Sequence, residues 1–351
     1  MTAPETPPRV RTGALAPLNH PVFRAVWITS LVTNFGGLIQ SVGAAWMMSS
    51  IASAQMVALV QASVTLPIML LSLAAGALAD TVDRRKIMLA AQSFMLLVSA
   101  GLAVMTWMGL ITPWVLLSFT FLIGCGTAFN GPAWQASVGD MVPRKDLAGA
   151  VTLNSMGFNL ARSVGPAIGG MIVAAAGAAA AFAVNAVSYL GLLVVLFRWK
   201  PDRPKQTLPR EGLLAAMAGG LRYAFLSPRV TAVLLRAVVF GVGASAVQAL
   251  MPLVAREGGG GPLAFGLLLG AFGVGAVGGA LFVGRLRAKY ETETVVRVST
   301  LAFAVAAAVV GFSPWLALTL PALMVAGAGW VLTLSSFNVT VQMSVPRWVV
   351  A

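Results

Sequence analysis

The chain has 351 residues, 58% hydrophobic and 9% charged, with 23 Lys and Arg against 10 Asp and Glu and a formal net charge of +13. Soluble domains carry about a quarter of their residues as charged side chains; with a mean hydropathy of +0.89, most of this chain must be solvated by lipid instead. A single cysteine, Cys125, excludes an internal disulfide and any Cys-based metal site.

Residues 1–20, MTAPETPPRVRTGALAPLNH, are Pro-rich and short of apolar side chains, which predicts a disordered tail. They show no signal-peptide pattern, so the first span is read as an uncleaved anchor. Ten stretches then reach the roughly 20 apolar residues that a membrane helix needs: 24–48, 56–79, 87–109, 114–137, 157–176, 179–197, 230–254, 263–283, 295–312 and 316–336. They are too long for strands and do not alternate. In hydrocarbon every backbone donor and acceptor must pair within its own segment, so each is predicted to be an α-helix.

All Lys and Arg except Arg162, Arg236 and Arg256 fall in the tail, in the loops after even-numbered spans, or at the helix ends beside those loops. The positive-inside rule therefore places the N-terminus in the cytoplasm of a multi-pass protein of the cytoplasmic (inner) membrane. The basic balance is thus a topology signal. No basic patch is interleaved with stacking aromatics, so nucleic acid is not an expected partner. Trp27, Trp46, Trp107, Trp114, Trp134, Trp199 and Trp315 fall near predicted span ends, as an interfacial belt requires.

The turn between spans 2 and 3, GALADTVDRRK at 76–86, returns in weaker form as GALFVGRLRAK at 279–289. FNGPAWQASVGDMVPRKDLAGA at 129–150 is echoed by FNVTVQMSVPRWVVA at 337–351. Both pairs fall on the same membrane side, which predicts two parallel repeats. The expected units are a six-helix bundle over 21–197, a central cytoplasmic loop over 198–228, and a second bundle over 229–351 holding helices 7–10. On that reading about 50 residues, two spans with their turns, are missing from the second repeat.

These residues resemble the major facilitator superfamily, whose members carry twelve helices in two six-helix halves. Its loop signature, G-x-L-A-D-R-x-G-R-R-K, is matched at Gly76, Leu78, Ala79, Asp80, Arg84, Arg85 and Lys86, with Thr81 and Asp83 departing from it. GPAIGG at 165–170 matches a fifth-helix signature associated with antiporters. The stretches at 129–170 and 335–347 are similar to the branch of transmembrane secretion effectors that contains the enterobactin exporter. The resemblance implies that Gly76, Asp80, Arg84, Arg85, Lys86, Gly165, Pro166, Gly169 and Gly170 serve conformational gating. In the family the carboxylate at Asp80 faces the start of helix 11, where the helix dipole favours negative charge.

The fifth span carries two faces. Gly157, Ala161, Gly165 and Gly169 form a small-residue ridge that lets another helix approach closely, and span 8 offers Ala271, Gly275 and Gly279; packing of span 5 on span 8 through these ridges is expected. The other face aligns Ser155, Asn159, Arg162 and Pro166. Arg162 and Arg236 lie inside spans, where a charge either faces a wet cavity or snorkels to the interface. With Asn34, Gln40, Gln61, Asn130, Asn159 and Gln248 they are the candidate cavity residues, the amides alternatively serving as interhelical hydrogen-bonders.

No acid lies in the middle of a span, so a proton as coupling ion would use a boundary carboxylate or a residue outside this sequence, or coupling is not protonic. No phosphate-binding loop is present, no nucleophilic set can be assembled around His20, the sole histidine, and no cofactor, metal or catalytic residue is expected. The expectation is a secondary transporter, monomeric in membrane lipid, that exports small amphipathic molecules such as drugs or siderophores. The alternative is a truncated, non-transporting membrane protein.

Overall fold

The computed structural model describes residues 15–200, 226–313 and 315–344. Residues 1–14 and 201–225, most of the expected tail and central loop, lie outside that description, as does the side chain of Asp80. Within it every regular element is helical: α1 Pro21–Ile51, α2 Ala54–Thr81, α3 Arg84–Trp107, α4 Pro113–Met141, a run over Leu147–Arg198, α7 Pro228–Glu257, α8 Pro262–Lys289, α9 Thr292–Phe312 and α10 Leu316–Ser344. Nine of these runs are long and apolar enough to cross a membrane. The run of 52 residues is broken at Gly177, where φ is 79° and ψ 175°, a backbone conformation open essentially only to glycine. It is therefore two helices, α5 (147–176) and α6 (178–198), and the ten predicted spans are ten helices among the described residues.

The helices run past the predicted apolar stretches. Helix α5 starts at Leu147 rather than 157: LAGAVTLNSM, in which only Thr152, Asn154 and Ser155 are polar, continues the helix beyond the predicted span. Of the tail expected to be disordered, Ala16–Asn19 form a 3-10 turn. Proline occupies the first turn of α1, α4, α7 and α8, where its missing N–H costs nothing. Asp83, a departure from the loop signature, caps α3 by accepting from the backbone N–H of Arg85 at 2.9 Å and of Lys86 at 3.4 Å.

In the first half α1 is central. Helix α5 runs parallel to it, with Gly157 against Trp27 and Leu31, Gly165 against Phe35 and Leu38, and Gly169 against Ile39 and Val42. Helix α6 returns antiparallel, with Ala181 and Phe182 beside Gly43 and with Asn185 and Ser188 beside Gly36. The internal repeat is visible as packing. Helix α2 lies on α4 at Gly124 and α8 on α10 at Gly279, each glycine placing a would-be Cβ 2.8 Å from a carbonyl oxygen of the partner helix. The repeated loop arginines do the same job: Arg84 donates to the Ala136 carbonyl of α4 at 3.0 Å, and Arg287 to the Ser335 hydroxyl of α10 at 2.8 Å.

The two halves meet where α5 crosses α8. A Cβ on Gly170 would lie 2.6 Å from the Pro262 oxygen, one on Gly266 2.5 Å from the Pro166 oxygen, and one on Gly273 2.6 Å from the Ser163 Cα. The expected helix pair is correct and the expected ridges are not. Gly157, Ala161, Gly165 and Gly169 belong to the α1 contact, and Gly275 and Gly279 to α10. A disulfide needs Cβ atoms about 3.5–4.5 Å apart, and a Cβ on Gly270 would be 3.6 Å from that of Ala167. In a Cys125→Ser background, the pair Ala167→Cys and Gly270→Cys should form a disulfide on mild oxidation, read as a mobility shift after cleavage between the halves. The pair Gly169→Cys and Gly275→Cys should not.

Candidate functional site

Helix α5 presents four sides. One is taken by α1 and one by α8. On a third, Leu160, Val164 and Met171 are 41–52% exposed, as a lipid-facing stripe is. The fourth, across from the lipid stripe, carries exposed Ser155 and Asn159 and half-buried Arg162, which lie on one face because Ser155 and Arg162 stand two turns apart. Near the middle of α5, the Arg162 guanidinium sits 4.2 Å from the centroid of the Trp330 ring of α10. Trp330 is itself held against Phe272 of α8, 6.1 Å between centroids at 59°. A charge at bilayer mid-depth costs about 2.5–3.5 kcal/mol on insertion scales, and a desolvated cation–π contact returns about 2. Arg162 is half-buried beside that ring, and no acceptor for its N–H groups is found among the described residues.

The contacts between the halves are uneven along the bundle. At the end away from the basic loops, Trp46 of α1 stacks on Phe265 of α8 at 6.5 Å and 24°. There the Arg256 guanidinium of α7 donates to the Ser49 carbonyl of α1, and Leu253 packs against the cluster of Ala44, Met48, Val57 and Val60. At the basic end the corresponding cluster, from Phe23 and Val26 through Met88 and Met141 to Leu196 and Trp199, contains residues of the first half alone. Gly278 and Gly284 of α8 and Gly131 and Gly139 of α4 meet nothing within 4 Å. The described halves are joined at mid-depth and at the far end, and apart at the basic end.

The remaining candidates separate into groups. Asn34 is half-buried on the arc of α1 left free by the α5 and α6 contacts, where Gly37 and Ser41 are exposed. Gln40 is not on that arc. It is 4% exposed and accepts from Ser99 of α3 at 2.8 Å and from the Asn185 amide of α6, which also donates to Tyr189 at 3.1 Å. Asn130 accepts from Gln92 of α3 at 3.1 Å. Gln61 is exposed and Gln248 half-buried. Arg236 does not reach mid-depth; it pairs with Glu293 of α9 at 3.0 Å, which also takes Arg297. In the loop signature, Arg84 pairs with Asp140 at 3.1 Å, Arg85 donates to the Leu196 and Phe197 carbonyls at 2.7 Å, holding the C-terminus of α6 as a cation there does, and Lys86 is exposed. Gly76 meets nothing within 4 Å. Pro166 and Gly170 lie on the interface between halves, Gly165 and Gly169 within the first half.

Sequence reasoning missed Trp330, the Gln40–Ser99–Asn185 network, the Arg256–Ser49 bond, and Asp146, 5% exposed and 3.0 Å from His20. A tryptophan in the middle of a span, away from the belt, was the available signal for the first. Because Gln40 is structural, Gln40→Leu should lower the unfolding free energy by about 1–2 kcal/mol by leaving Asn185 and Ser99 unsatisfied, whereas Asn34→Leu should change it by less than about 0.5; thermal unfolding in detergent reads both.

A family model described as transmembrane secretion effector matches residues 12–351. The enterobactin exporter of Escherichia coli O1:K1 is 28% identical over 328 residues, covering 90% of this chain and 76% of that protein. The staphyloferrin A transporter of Staphylococcus aureus is 31% identical over 163 residues, 46% of this chain and 41% of that protein. Among solved structures, the inward-facing, unoccupied bacterial homologue of the human lysosomal transporter Spinster aligns with a TM-score of 0.70 at 15% identity, covering 92% of this chain and 75% of that one. The nucleoside transporter NupG aligns at 0.68 and 14%, covering 93% and 84%. At these identities the structures establish the fold.

Proposed function

The chain belongs to the transmembrane secretion effector family of the major facilitator superfamily, and on that basis we propose that it is an alternating-access secondary transporter exporting small amphipathic molecules, of siderophore or drug character, across the cytoplasmic membrane. The observation that carries the reading is the polar face of α5 lying beside a seam that is joined at one end and parted at the other. Such a seam is what a pair of rocking bundles presents in one of its two states. With the basic loops in the cytoplasm, the open end faces inward, where an exporter takes up its load. Exposed Phe158 beside Ser155 and Asn159 gives that face both apolar and hydrogen-bonding character, which suits an amphipathic solute. Transport of this kind draws on an ion gradient or on the solute's own gradient, and H+ is the candidate ion for the first of these. The enterobactin exporter and the staphyloferrin A transporter, by their names, handle siderophores, which supports that class of cargo here.

Expressed in a strain lacking its own pumps, the protein should lower accumulation of amphipathic test compounds, and Arg162→Ala should abolish the effect; accumulation unchanged by the substitution would remove Arg162 from the route. Arg256→Ala should loosen the far end. Spin labels at Ala52 and Gly258 should show a longer distance population in that variant, and an unaltered distribution would mean the Ser49 contact does not hold that end shut.

A further inference from the structure

We propose that Arg162 and Trp330 form a recognition site for a planar aromatic group bearing a negative charge, gripped by one residue from each half of the protein. The inference rests on the transporter reading and names the ligand chemistry of the same cavity. Several other arginines of the helices have acceptors: Arg84 has Asp140, Arg236 and Arg297 have Glu293, Arg85 and Arg256 have backbone carbonyls, and Arg287 has the Ser335 hydroxyl, while Arg285, which like Arg162 has a ring contact (Phe282, 5.8 Å), is exposed. In the middle of α5, half-buried Arg162 has, among the described residues, a ring contact and no acceptor.

The geometry fixes what can complete it. With its Cζ 4.2 Å from the indole centroid and no acceptor among the described residues, the guanidinium keeps N–H donors free, and such donors match a carboxylate or phenolate. An anion docked there extends its own framework alongside Trp330. Trp330 lies against Phe272, 3% exposed, at 6.1 Å between ring centroids and 59°, and an aromatic ring gains contact with such an indole that a saturated ring of equal size does not. Exposed Asn159 and Ser155 continue the face toward the basic end with further hydrogen-bonding groups. Because Arg162 rides on α5 and Trp330 on α10, only the state in which α5 and α10 stand this close presents both. Ligand chemistry and conformational state are thereby read by the same pair.

The test uses three matched probes on purified protein in detergent: 2-naphthoate, its fully saturated decalin carboxylate, and neutral 2-naphthamide, with affinities from equilibrium dialysis and midpoints from thermal unfolding. Naphthoate should bind about tenfold more tightly than either control, the factor that one desolvated cation–π or stacking contact supplies. Trp330→Leu should erase the preference for naphthoate over the saturated acid while keeping acid over amide. Arg162→Gln should erase acid over amide while keeping aromatic over saturated. Trp330→Phe, which preserves a ring, should keep the wild-type ranking and shows that loss in Trp330→Leu is not misfolding. Equal binding of the three probes, no naphthoate binding at millimolar concentration, or an unchanged ranking in both truncating variants overturns the proposal. Export of an amphipathic dye from cells is scored separately. Export without naphthoate preference defeats the ligand class and leaves transport standing, whereas naphthoate preference without export does the reverse.

Discussion

Inside a bilayer two helices gain nothing by hiding apolar surface from each other, since lipid tails serve that purpose equally; they hold together through close van der Waals contact. The crossing of α5 and α8 is the place where this chain meets that demand. Backbone approaches backbone at Gly170 and Gly266, and again at Ser163 and Gly273, with no room for a Cβ on any of these glycines. Contacts of α1 with α7 and α8 join the halves beside that crossing. The crossing brings α10, packed on α8 through Gly275 and Gly279, near enough for Trp330 to cover Arg162.

The crossing also explains how one helix serves structure and chemistry together. With α1 and α8 on opposite sides of α5, the two remaining sides differ in character. Leu160, Val164 and Met171 make one of them apolar, and Ser155, Asn159 and Arg162 make the other polar. The Gly177 break then lets α6 fold back along α1, where Asn185 joins the buried amide network, so the polar groups of the first half are divided between a satisfied core and an open face. Buried amides cost little once paired and much if left unpaired. That difference separates Gln40 from Asn34, although both read from sequence as polar residues in the same span.

Much of the fold was legible in the chain. Charge placement gave the loops, length and apolarity gave the ten helices, and the recurrence of GALADTVDRRK gave the repeat that the structure shows as Arg84 on α4 and Arg287 on α10. The ridges were harder. Small residues four apart announce close packing without naming the partner, and α5 carries two such ridges a few positions out of phase. Gly157 to Gly169 serve α1; Ser163, Pro166 and Gly170 serve α8. Partner choice depends on rotation of the helix about its own axis, which periodicity leaves open. Arg236 and Arg162 also read alike in sequence. Their separation came from Glu293, a residue far along the chain that offers one of them an ion pair at the water boundary and cannot reach the other.

The central claim is that the polar side of α5 lines a water-filled space entered from the basic end. Its most direct measurement is the reaction of single cysteines with a membrane-impermeant charged thiol reagent, in a Cys125→Ser background, added separately to each side of oriented vesicles. Cysteines at Ser155 and Asn159 should react quickly from the basic side and slowly from the other, while cysteines at Leu160 and Met171 should stay unmodified from both. Modification of Leu160 and Met171 as fast as Ser155 and Asn159, or entry only from the far side, would contradict the account.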